Sequence, residues 1–473
     1  MYDEQYRPQF HFSPKENWMN DPNGLVYYKG EYHLFYQYHP YSMVWGPMHW
    51  GHAVSKDLLH WDELPIALYP DELGQIFSGS AVIDAQNTSG LKTSDEDVMV
   101  AIFTHHGEDN EKQSIAYSND RGRTWVKYEG NPVIPNTGQK DFRDPKVFWH
   151  EESEKWVMSL ASGDCIRFYG SRNLIDWELL SEFGSEYGAH GGVWECPDLI
   201  QLPVEGEDQK KWVLIVSINP GGPNGGSVVQ YFVGEFDGVE FICDDRPEVV
   251  KWADFGRDFY AAVTWSNFSE PIWIGWMSNW QYANQVPSEP FRSAMSIPRK
   301  LGLRRVDGEF NLVQSPIDLS SLFNKVLVSN ETITLKSSET YQVELDNRQL
   351  FAKANVMNST ASEFLVTFRG EQERLEIVFD QKRKEVRIDR RDSGQKSFSE
   401  LFASIDRMPL ARLNDFTLIL DKTSIELFVN QGNRVMTELF FPLESEFTLE
   451  FRALDGEVIL ENVELCHLES TWK

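Results

Sequence analysis

A signature that occurs three times constrains the fold of this chain more than any other feature. Ser55-Lys56-Asp57-Leu58-Leu59-His60-Trp61 is echoed by Ser118-Asn119-Asp120 running to Thr124-Trp125, and again by Ser171-Arg172-Asn173-Leu174-Ile175-Asp176-Trp177. The three tryptophans stand 64 and 52 residues apart. That period can hold four strands with their loops, and repetition of such a unit is typical of the blades of a β-propeller.

The segment from about residue 24 to 300 consists of short strand-like runs broken by turns. Leu25–Tyr28 and Tyr32–Tyr36 flank Lys29-Gly30-Glu31, which indicates a hairpin. Long helical periodicity is absent, so the region is predicted to be all-β. Division of roughly 280 residues by the blade period predicts about five blades. A single long sandwich is the alternative.

The chain changes character beyond residue 300. Leu301–Arg305 is basic, and Ser315-Pro316-Ile317-Asp318-Leu319 indicates a linker with one helical turn. Strand alternation then returns, for example in Ser424–Val429, at a spacing that favours a β-sandwich. We predict a five-bladed β-propeller over residues 1–305, a linker over 306–325 and a C-terminal β-sandwich over 326–473, with the chemistry in the propeller.

The net charge limits the partners that the chain can bind. It carries 44 basic and 73 acidic residues, a net charge of −29, and such a field repels nucleic acid and anionic membranes. No stretch of about 18 apolar residues is present to span a bilayer. Residues 1–20 lack the basic and apolar segments of a signal peptide, which predicts a cytoplasmic protein, or a secreted one given in its mature form. The four scattered cysteines show no metal-ligand spacing.

Three carboxylates stand in unusual local settings. Asp21 precedes a proline in Asn20-Asp21-Pro22-Asn23-Gly24, and Asp144 does so in Arg143-Asp144-Pro145. Either segment taken alone is an ordinary turn former. Glu195 lies between Trp194 and Cys196, where apolar surroundings make an ionised carboxylate costly unless it is paired or protonated.

Taken together, these segments resemble the motifs of glycoside hydrolase family 32, the family of invertases, levanases and exo-inulinases. The resemblance is strong from residue 6 to about 300 and continues more weakly in the C-terminal domain, chiefly in Asp421–Val429. It implies a five-bladed propeller followed by a β-sandwich, in agreement with the strand pattern. The motifs that carry it are Trp18-Met19-Asn20-Asp21-Pro22-Asn23-Gly24, Phe35-Tyr36-Gln37-Tyr38-His39-Pro40, Trp45-Gly46-Pro47-Met48-His49-Trp50-Gly51-His52, Phe77-Ser78-Gly79-Ser80, Phe142-Arg143-Asp144-Pro145 and Trp194-Glu195-Cys196-Pro197-Asp198.

The resemblance implies a role for each of the three carboxylates. It implies Asp21 as the nucleophile, Glu195 as the general acid/base and Asp144 as the stabiliser of the transition state. A retaining glycosidase needs one carboxylate that attacks the anomeric carbon and one carboxyl group that protonates the leaving oxygen. Because Arg143 is adjacent to Asp144, we expect its charge to favour the ionised form of Asp144 if the two side chains meet.

The resemblance also implies a binding pocket for a fructosyl ring. Aromatic side chains would form its wall, and amides, a hydroxyl and a guanidinium would recognise the sugar oxygens. Trp276 is the rival of Trp280 for the same wall, since both belong to one strand-like segment. The implied pocket residues are Asn20, Gln37, Trp45, Phe77, Ser78, Arg143 and Trp280.

The function implied by the resemblance is that of a β-fructosidase. It would hydrolyse terminal β-D-fructofuranosyl linkages of sucrose and of fructans such as inulin and levan, from the chain end, with no cofactor and no metal. Ser114–Trp125 and Trp276–Pro287 are more similar to the levanase, exo-inulinase and yeast-invertase branch than to sucrose-6-phosphate hydrolase. A fructosyltransferase of the same family and a non-catalytic carbohydrate-binding propeller are the alternatives. The C-terminal domain is a candidate surface for homodimer formation or polysaccharide binding.

Overall fold

The computed structural model describes residues 2–108 and 110–472 and is all-β. Within these residues the helical segments are three single 3-10 turns, Glu151–Ser153, Ala283–Gln285 and Ser320–Leu322. None of the described helices has the length and apolar character needed to cross a membrane. Five small, mainly antiparallel sheets come first along the described part of the chain, and two six-stranded sheets follow them.

The five small sheets are the blades of a propeller, each built mainly from four strands in chain order, as the repeat predicted. Blade I contains Asn17–Tyr28, Glu31–His39, His49–Ser55 and Trp61–Leu68; blade II contains Gln75–Asp84, Val98–His106, Glu111–Ser118 and Val126–Lys127; blade III contains Phe142–His150, Lys155–Ser162, Cys165–Ser171 and Glu178–Phe183; blade IV contains Val193–Pro203, Lys210–Asn219, Val228–Phe236 and Phe241–Cys243; blade V contains Tyr260–Thr264, Ile272–Met277, Arg299–Val306 and Glu309–Pro316.

The first strand of every blade lies innermost, next to the propeller axis. Each of these strands contacts the first strands of the two neighbouring blades, so the five form a closed ring. The ring is joined between blades V and I, where Phe291–Arg292 pairs in parallel with Asn17 and Trp18. Side chains at the beginning of the inner strands therefore converge on one end of the axis.

The repeated signature forms the turn between the third and fourth strands of blades I, II and III. In blade III the Asn173 Oδ1 atom accepts the amide hydrogens of Ile175 and Asp176 at 3.0 and 2.8 Å. The Trp177 indole donates to the carbonyl oxygen of Leu174 at 3.0 Å. The same bonds recur around Asp57 and Asp120. The sequence repeat is therefore a repeat of side-chain-capped turns.

The two six-stranded sheets pack face to face as a β-sandwich. Its core consists of inward-facing apolar side chains from both sheets, for example Leu418 and Leu427 against Ile377 and Leu449. One sheet contains Phe323–Lys336, Glu457–Leu468, Leu350–Ser359, Asp415–Leu420, Ser424–Val429 and Arg434–Leu439; the other contains Thr340–Leu345, Phe447–Leu454, Glu363–Arg369, Arg374–Asp380, Glu385–Asp392 and Ile405–Pro409.

The linker expected over residues 306–325 is wrong in its bounds. Glu309–Pro316 pairs along its whole length with Arg299–Val306 and completes blade V. The basic run reflects ion pairs between neighbouring blades, because Arg304 and Arg305 contact Glu205 and Glu207 of blade IV. The connection between the sheets of the two domains is residues 317–322, and its helical turn is Ser320–Leu322.

Candidate active site

A pocket of about 390 Å³ lies at the end of the axis where the inner strands begin. Blades I, II, III and IV each contribute side chains to it from the start of their inner strands. The pocket brings together all ten of the site residues predicted from the sequence, together with three that were not. Its lining is Asn20, Asp21, Gln37, Trp45, Phe77, Ser78, His106, Glu111, Asp141, Arg143, Asp144, Glu195 and Trp280.

Asp21 is held by hydrogen bonds to both of its carboxylate oxygens. Ser78 Oγ donates to Oδ2 at 2.6 Å, and Asn20 Nδ2 donates to Oδ1 at 3.0 Å. Asn20 is itself fixed by the Trp18 indole, which donates to its Oδ1 at 2.8 Å. Burial raises the pKa of Asp21, while the bonds from Ser78 and Asn20 lower it by stabilising the ionised form.

Glu195 is bound on each oxygen by a different donor. Arg143 donates to Oε1 through Nε and Nη2 at 3.2 and 3.1 Å, and the Tyr260 hydroxyl bonds to Oε2. Burial raises the pKa of Glu195, and the nearby charge of Asp21 raises it further, whereas Arg143 and Tyr260 lower it. Arg143 and Tyr260 therefore stabilise the ionised form of Glu195, while burial and the charge of Asp21 favour its protonated form.

Asp144 is the most enclosed of the three carboxylates. The backbone N–H of Cys196 donates to its Oδ2 at 3.0 Å, and its own N–H donates to Thr104 at 3.0 Å. The Cys196 sulfur lies 3.5 Å from Oδ2 of both Asp144 and Asp21, so the two carboxylates flank one thiol. Burial raises the pKa of Asp144, and the charges of Glu195 and Asp21 add to the rise.

The expected effect of Arg143 on Asp144 is present, but it does not decide the direction of the pKa shift. The charge of Arg143 lowers the pKa of Asp144, but burial outweighs it and the net shift is upward. The side-chain hydrogen bonds of Arg143 go to Glu195, to Glu111 and, at 3.0 Å, to Asp141. Both side chains line the pocket, but the guanidinium of Arg143 is directed to these three other carboxylates.

Aromatic side chains form one wall of the pocket. Trp45, which is 41% exposed, meets Phe77 edge to face with ring centroids 6.2 Å apart. Phe77 in turn stacks on His106 at 4.2 Å. Trp280 lines the pocket, whereas Trp276 is fully buried behind it with ring centroids 4.8 Å apart.

Four side chains around the pocket were not identified from the sequence. Glu111 accepts bonds from Arg143 and from the Phe142 amide, and its Oε1 lies 3.1 Å from His106 Nδ1. Asp141 bonds to Arg143, and Tyr260 bonds to Glu195. Glu111 stands in a run of charged residues typical of an exposed loop, and Tyr260 in an apolar strand typical of a core. Pairing within blade II places Glu111 beside His106, and packing of the inner strand of blade V against that of blade IV brings Tyr260 to Glu195.

A sheltered pocket with several carboxyl groups in different environments is typical of a glycoside hydrolase. The protein-family models for the glycosyl hydrolases family 32 N-terminal domain and C-terminal domain match residues 11–316 and 318–467. The two matches together span nearly the whole chain. The protein belongs to glycoside hydrolase family 32.

Individual relatives and a solved structure agree with this assignment. The chain is 49% identical over 491 residues to a levanase of Bacillus subtilis (strain 168), covering all of this chain and 72% of the levanase. It is 40% identical over 524 residues to an extracellular exo-inulinase of Aspergillus awamori, covering all of this chain and 96% of that protein. The structure of a fructofuranosidase from Schwanniomyces occidentalis complexed with fructose is similar, with a TM-score of 0.90 at 37% identity and 99% of each chain covered.

Proposed function

We propose that this glycoside hydrolase is a retaining β-fructosidase that releases terminal β-D-fructofuranosyl units from sucrose and from fructans. The observation that carries the proposal is the convergence of Asp21, Asp144 and Glu195, from three different blades, on one pocket. The names of the related levanase and exo-inulinase, and the fructose bound by the related fructofuranosidase, support a fructosyl substrate.

Asp21 is proposed to be the nucleophile. Its two donors, Ser78 and Asn20, stabilise a negative charge on the carboxylate and fix its orientation. Attack on the anomeric carbon breaks the bond to the leaving oxygen and forms a covalent fructosyl ester. Water then attacks the same carbon and regenerates the free carboxylate.

Glu195 is proposed to be the general acid and then the general base. In the first step its proton goes to the leaving oxygen, and in the second step it takes a proton from the attacking water. The raised pKa favours the protonated group that the first step requires. After the proton has left, Arg143 and Tyr260 stabilise the carboxylate by hydrogen bonds to its two oxygens.

Asp144 is proposed to bind hydroxyl groups of the fructosyl ring. Hydroxyl donors would supply the hydrogen bonds that favour its ionised form and so oppose the effect of burial on its pKa. A carboxylate held in this way positions the ring and compensates positive charge as oxocarbenium character develops.

The mode of attack is proposed to be from the chain end. The carboxylates lie around the propeller axis, and Trp45, Phe77 and Trp280 stand beside them, which favours a pocket that accepts one terminal ring. An enzyme that cleaves within a chain needs a groove through which both chain ends can pass.

The experiment is a time course on sucrose, inulin and levan, with the early products resolved by chromatography. We expect equal amounts of glucose and fructose from sucrose, and free fructose as the early product from inulin and levan. A ladder of short oligosaccharides would contradict attack from the chain end. An excess of glucose over fructose, with new trisaccharides, would favour the fructosyltransferase. Absence of turnover on all three substrates would leave only the carbohydrate-binding alternative.

The cellular location and the assembly are separate proposals. We propose that the protein acts outside the cell, because a polymeric fructan is too large to enter a cell intact and one relative is named as extracellular. Activity on levan found only inside the producing cells would contradict this. A homodimer through the C-terminal sandwich stays a prediction that analytical ultracentrifugation can test.

A further inference from the structure

Exposed aromatic rings are concentrated on blade I, at the end of the propeller that carries the pocket. Among residues 2–108 and 110–472, the strongly exposed large aromatic side chains are Tyr41, Trp45, Tyr69 and Phe323. Three of these four belong to blade I and its connection to blade II. Because large apolar side chains are costly to expose, a cluster of them marks a surface that binds something.

Tyr41 and Tyr69 are joined through one buried histidine. Tyr41 is 76% exposed and Tyr69 is 52% exposed. The His49 ring lies between them, 5.8 Å from Tyr41 and 5.4 Å from Tyr69, and both tyrosine rings stand nearly perpendicular to it. The two tyrosine rings therefore form one supported surface, here called the tyrosine platform.

Both tyrosines are carried by segments that also reach the pocket. Tyr41 lies in the connection between Glu31–His39 and His49–Ser55, which also carries Trp45 of the pocket wall. Tyr69 begins the connection to blade II, and two residues later Asp71 Oδ1 lies 3.3 Å from His105 Nε2. His105 precedes His106, another pocket residue.

The connection that carries Tyr41 is held in place by several hydrogen bonds. The Trp18 amide donates to the Ser42 carbonyl oxygen at 3.0 Å, and Asn17 Nδ2 donates to the Pro40 carbonyl oxygen at 2.8 Å. The Trp45 amide donates to Asn284 Oδ1 of blade V at 2.8 Å. A loop held in this way pays little entropy when a ligand settles on it.

The charges near the platform favour an uncharged ligand. Asp71 is paired with Lys127, which also bonds to the Tyr69 carbonyl oxygen. The rings thus offer flat apolar faces beside a neutralised ion pair. The face of a sugar ring carries C–H groups, and these pack against the face of an aromatic ring, which carries a partial negative charge.

We propose that the tyrosine platform binds the sugar units of a fructan that lie beyond the two rings joined by the cleaved bond. This inference rests on the proposed function, because the chain end has to sit in the pocket. Units beyond the second ring leave the pocket mouth past Trp45 and lie on Tyr41 and Tyr69. The platform therefore favours polymers over sucrose, which has only two rings and does not reach it.

The test compares sucrose with inulin in the wild type and in the double variant Tyr41→Ala/Tyr69→Ala. We expect kcat/KM on inulin to fall roughly three- to tenfold, mainly through KM, since each ring contributes a modest stacking energy. On sucrose kcat/KM should stay unchanged. Tyr41→Phe/Tyr69→Phe should keep the wild-type values because the ring faces remain, and Ile242→Ala, an exposed residue on the outer edge of blade IV, is the control.

The outcomes separate this inference from the proposed function. If the wild type hydrolyses both substrates and the Ala variant keeps the wild-type ratio of inulin to sucrose activity, the platform proposal is wrong. If the wild type hydrolyses neither, the proposed function itself is wrong. Sedimentation of the same proteins tests whether the platform instead binds a second copy of the chain. A wild-type dimer that becomes monomeric in the Ala variant would show this and overturn the proposal.

Discussion

At the scale of single residues, the carboxyl groups of the pocket differ in the donors around them. Asp21 receives bonds from two neutral groups, Ser78 and Asn20, whereas Glu195 receives bonds from a cationic one, Arg143. The charge on Arg143 can compensate a carboxylate that gains and loses a proton during each turnover. This difference is compatible with the proposed roles, nucleophilic attack by Asp21 and proton transfer by Glu195.

Asp21→Asn should abolish turnover of sucrose while the protein stays folded. The amide is nearly the same size as the carboxylate but cannot form the covalent fructosyl ester. The measurement is a glucose-release assay, with circular dichroism as the control for folding. Folded Asp21→Asn protein with wild-type activity would remove Asp21 from the proposed mechanism.

Glu195→Gln should lower the rate on sucrose by roughly 10²–10⁴-fold, the usual contribution of general acid–base catalysis. The loss should shrink on an aryl fructoside whose leaving group departs without protonation. The comparison of the two substrates is the measurement, because a purely structural role of Glu195 would lower both rates equally. An equal loss would therefore argue against its role as the acid.

Arg143→Lys should move the pH profile of kcat/KM on sucrose. Arg143 lowers the pKa of Glu195, and a lysine ammonium cannot reproduce the two bonds that the guanidinium makes to Oε1. The pKa of Glu195 should rise, so the basic limb, where the acid loses its proton, should shift to higher pH. Lys146→Arg, a charge-conserving change of another buried cation, is the matched control. An unshifted basic limb in Arg143→Lys would contradict this assignment.

Sequence reasoning identified the pocket residues that stand in distinctive local motifs and missed those that do not. Asp21, Asp144 and Glu195 are flanked by proline, tryptophan or cysteine in combinations that a resemblance can detect. Glu111 and Tyr260 have ordinary neighbours and reach the site only through the register of separate blades. The partners of Arg143 were missed for the same reason, because adjacency in sequence does not show which groups from other strands a side chain contacts.

At the scale of elements, the repeated turn explains why the blades could be counted from the sequence. Its Asp or Asn side chain accepts two backbone N–H groups, and its tryptophan donates to the turn carbonyl. These bonds are local, so their residues recur at fixed spacing in the chain. The connection between the domains occurs once and has no repeat in the chain, so its bounds could be seen only once Glu309–Pro316 had paired within blade V.

Asn173→Ala should lower the free energy of unfolding by about 1–2 kcal/mol, because two backbone N–H groups lose their acceptor. Asn173→Asp should recover only part of the loss: a carboxylate oxygen can accept the same two bonds, as Asp57 and Asp120 do in blades I and II, but the bond that Asn173 Nδ2 donates to Asp176 Oδ2 at 2.8 Å is replaced by repulsion between two carboxylates. Urea unfolding of the three proteins measures the difference. The turn lies far along the blade from the inner strand, so kcat/KM on sucrose should stay at the wild-type value. Equal stability of Asn173→Ala and the wild type would show that the capped turn contributes nothing.

At the scale of the whole molecule, buried ion pairs join the propeller to the sandwich. Arg299 of blade V bonds to Asp254 and to Glu426 of the sandwich. His11, in the segment before blade I, bonds to Asp421 and Glu426 at 2.8 Å each. Asp421 and Glu426 lie in the segment of the C-terminal domain where the family resemblance was clearest. The sequence showed a family motif in this segment, but it did not show that the segment bonds to His11, which lies about four hundred residues earlier in the chain.

The stability of the molecule should depend on pH through His11. Its two carboxylate partners outweigh the effect of burial and raise the pKa of His11 from 6.5 to about 9. A group with a raised pKa in the folded state contributes its full stability below the unfolded-state value and loses it as the pH rises through the folded-state value. The free energy of unfolding should therefore fall between pH 6.5 and pH 9, by up to about 3 kcal/mol for a shift of this size.

His11→Gln isolates this contribution from all other titrating groups. The variant keeps a polar side chain of similar size that does not titrate. The difference in the free energy of unfolding between the wild type and the variant should therefore be largest near pH 6 and shrink towards pH 9.5. The measurement is urea unfolding of both proteins across that range. His60→Gln, the same change at an exposed histidine that is also paired with an aspartate, is the matched control. If the curves of the wild type and His11→Gln stay parallel over the whole range, the charge of His11 does not join the two domains.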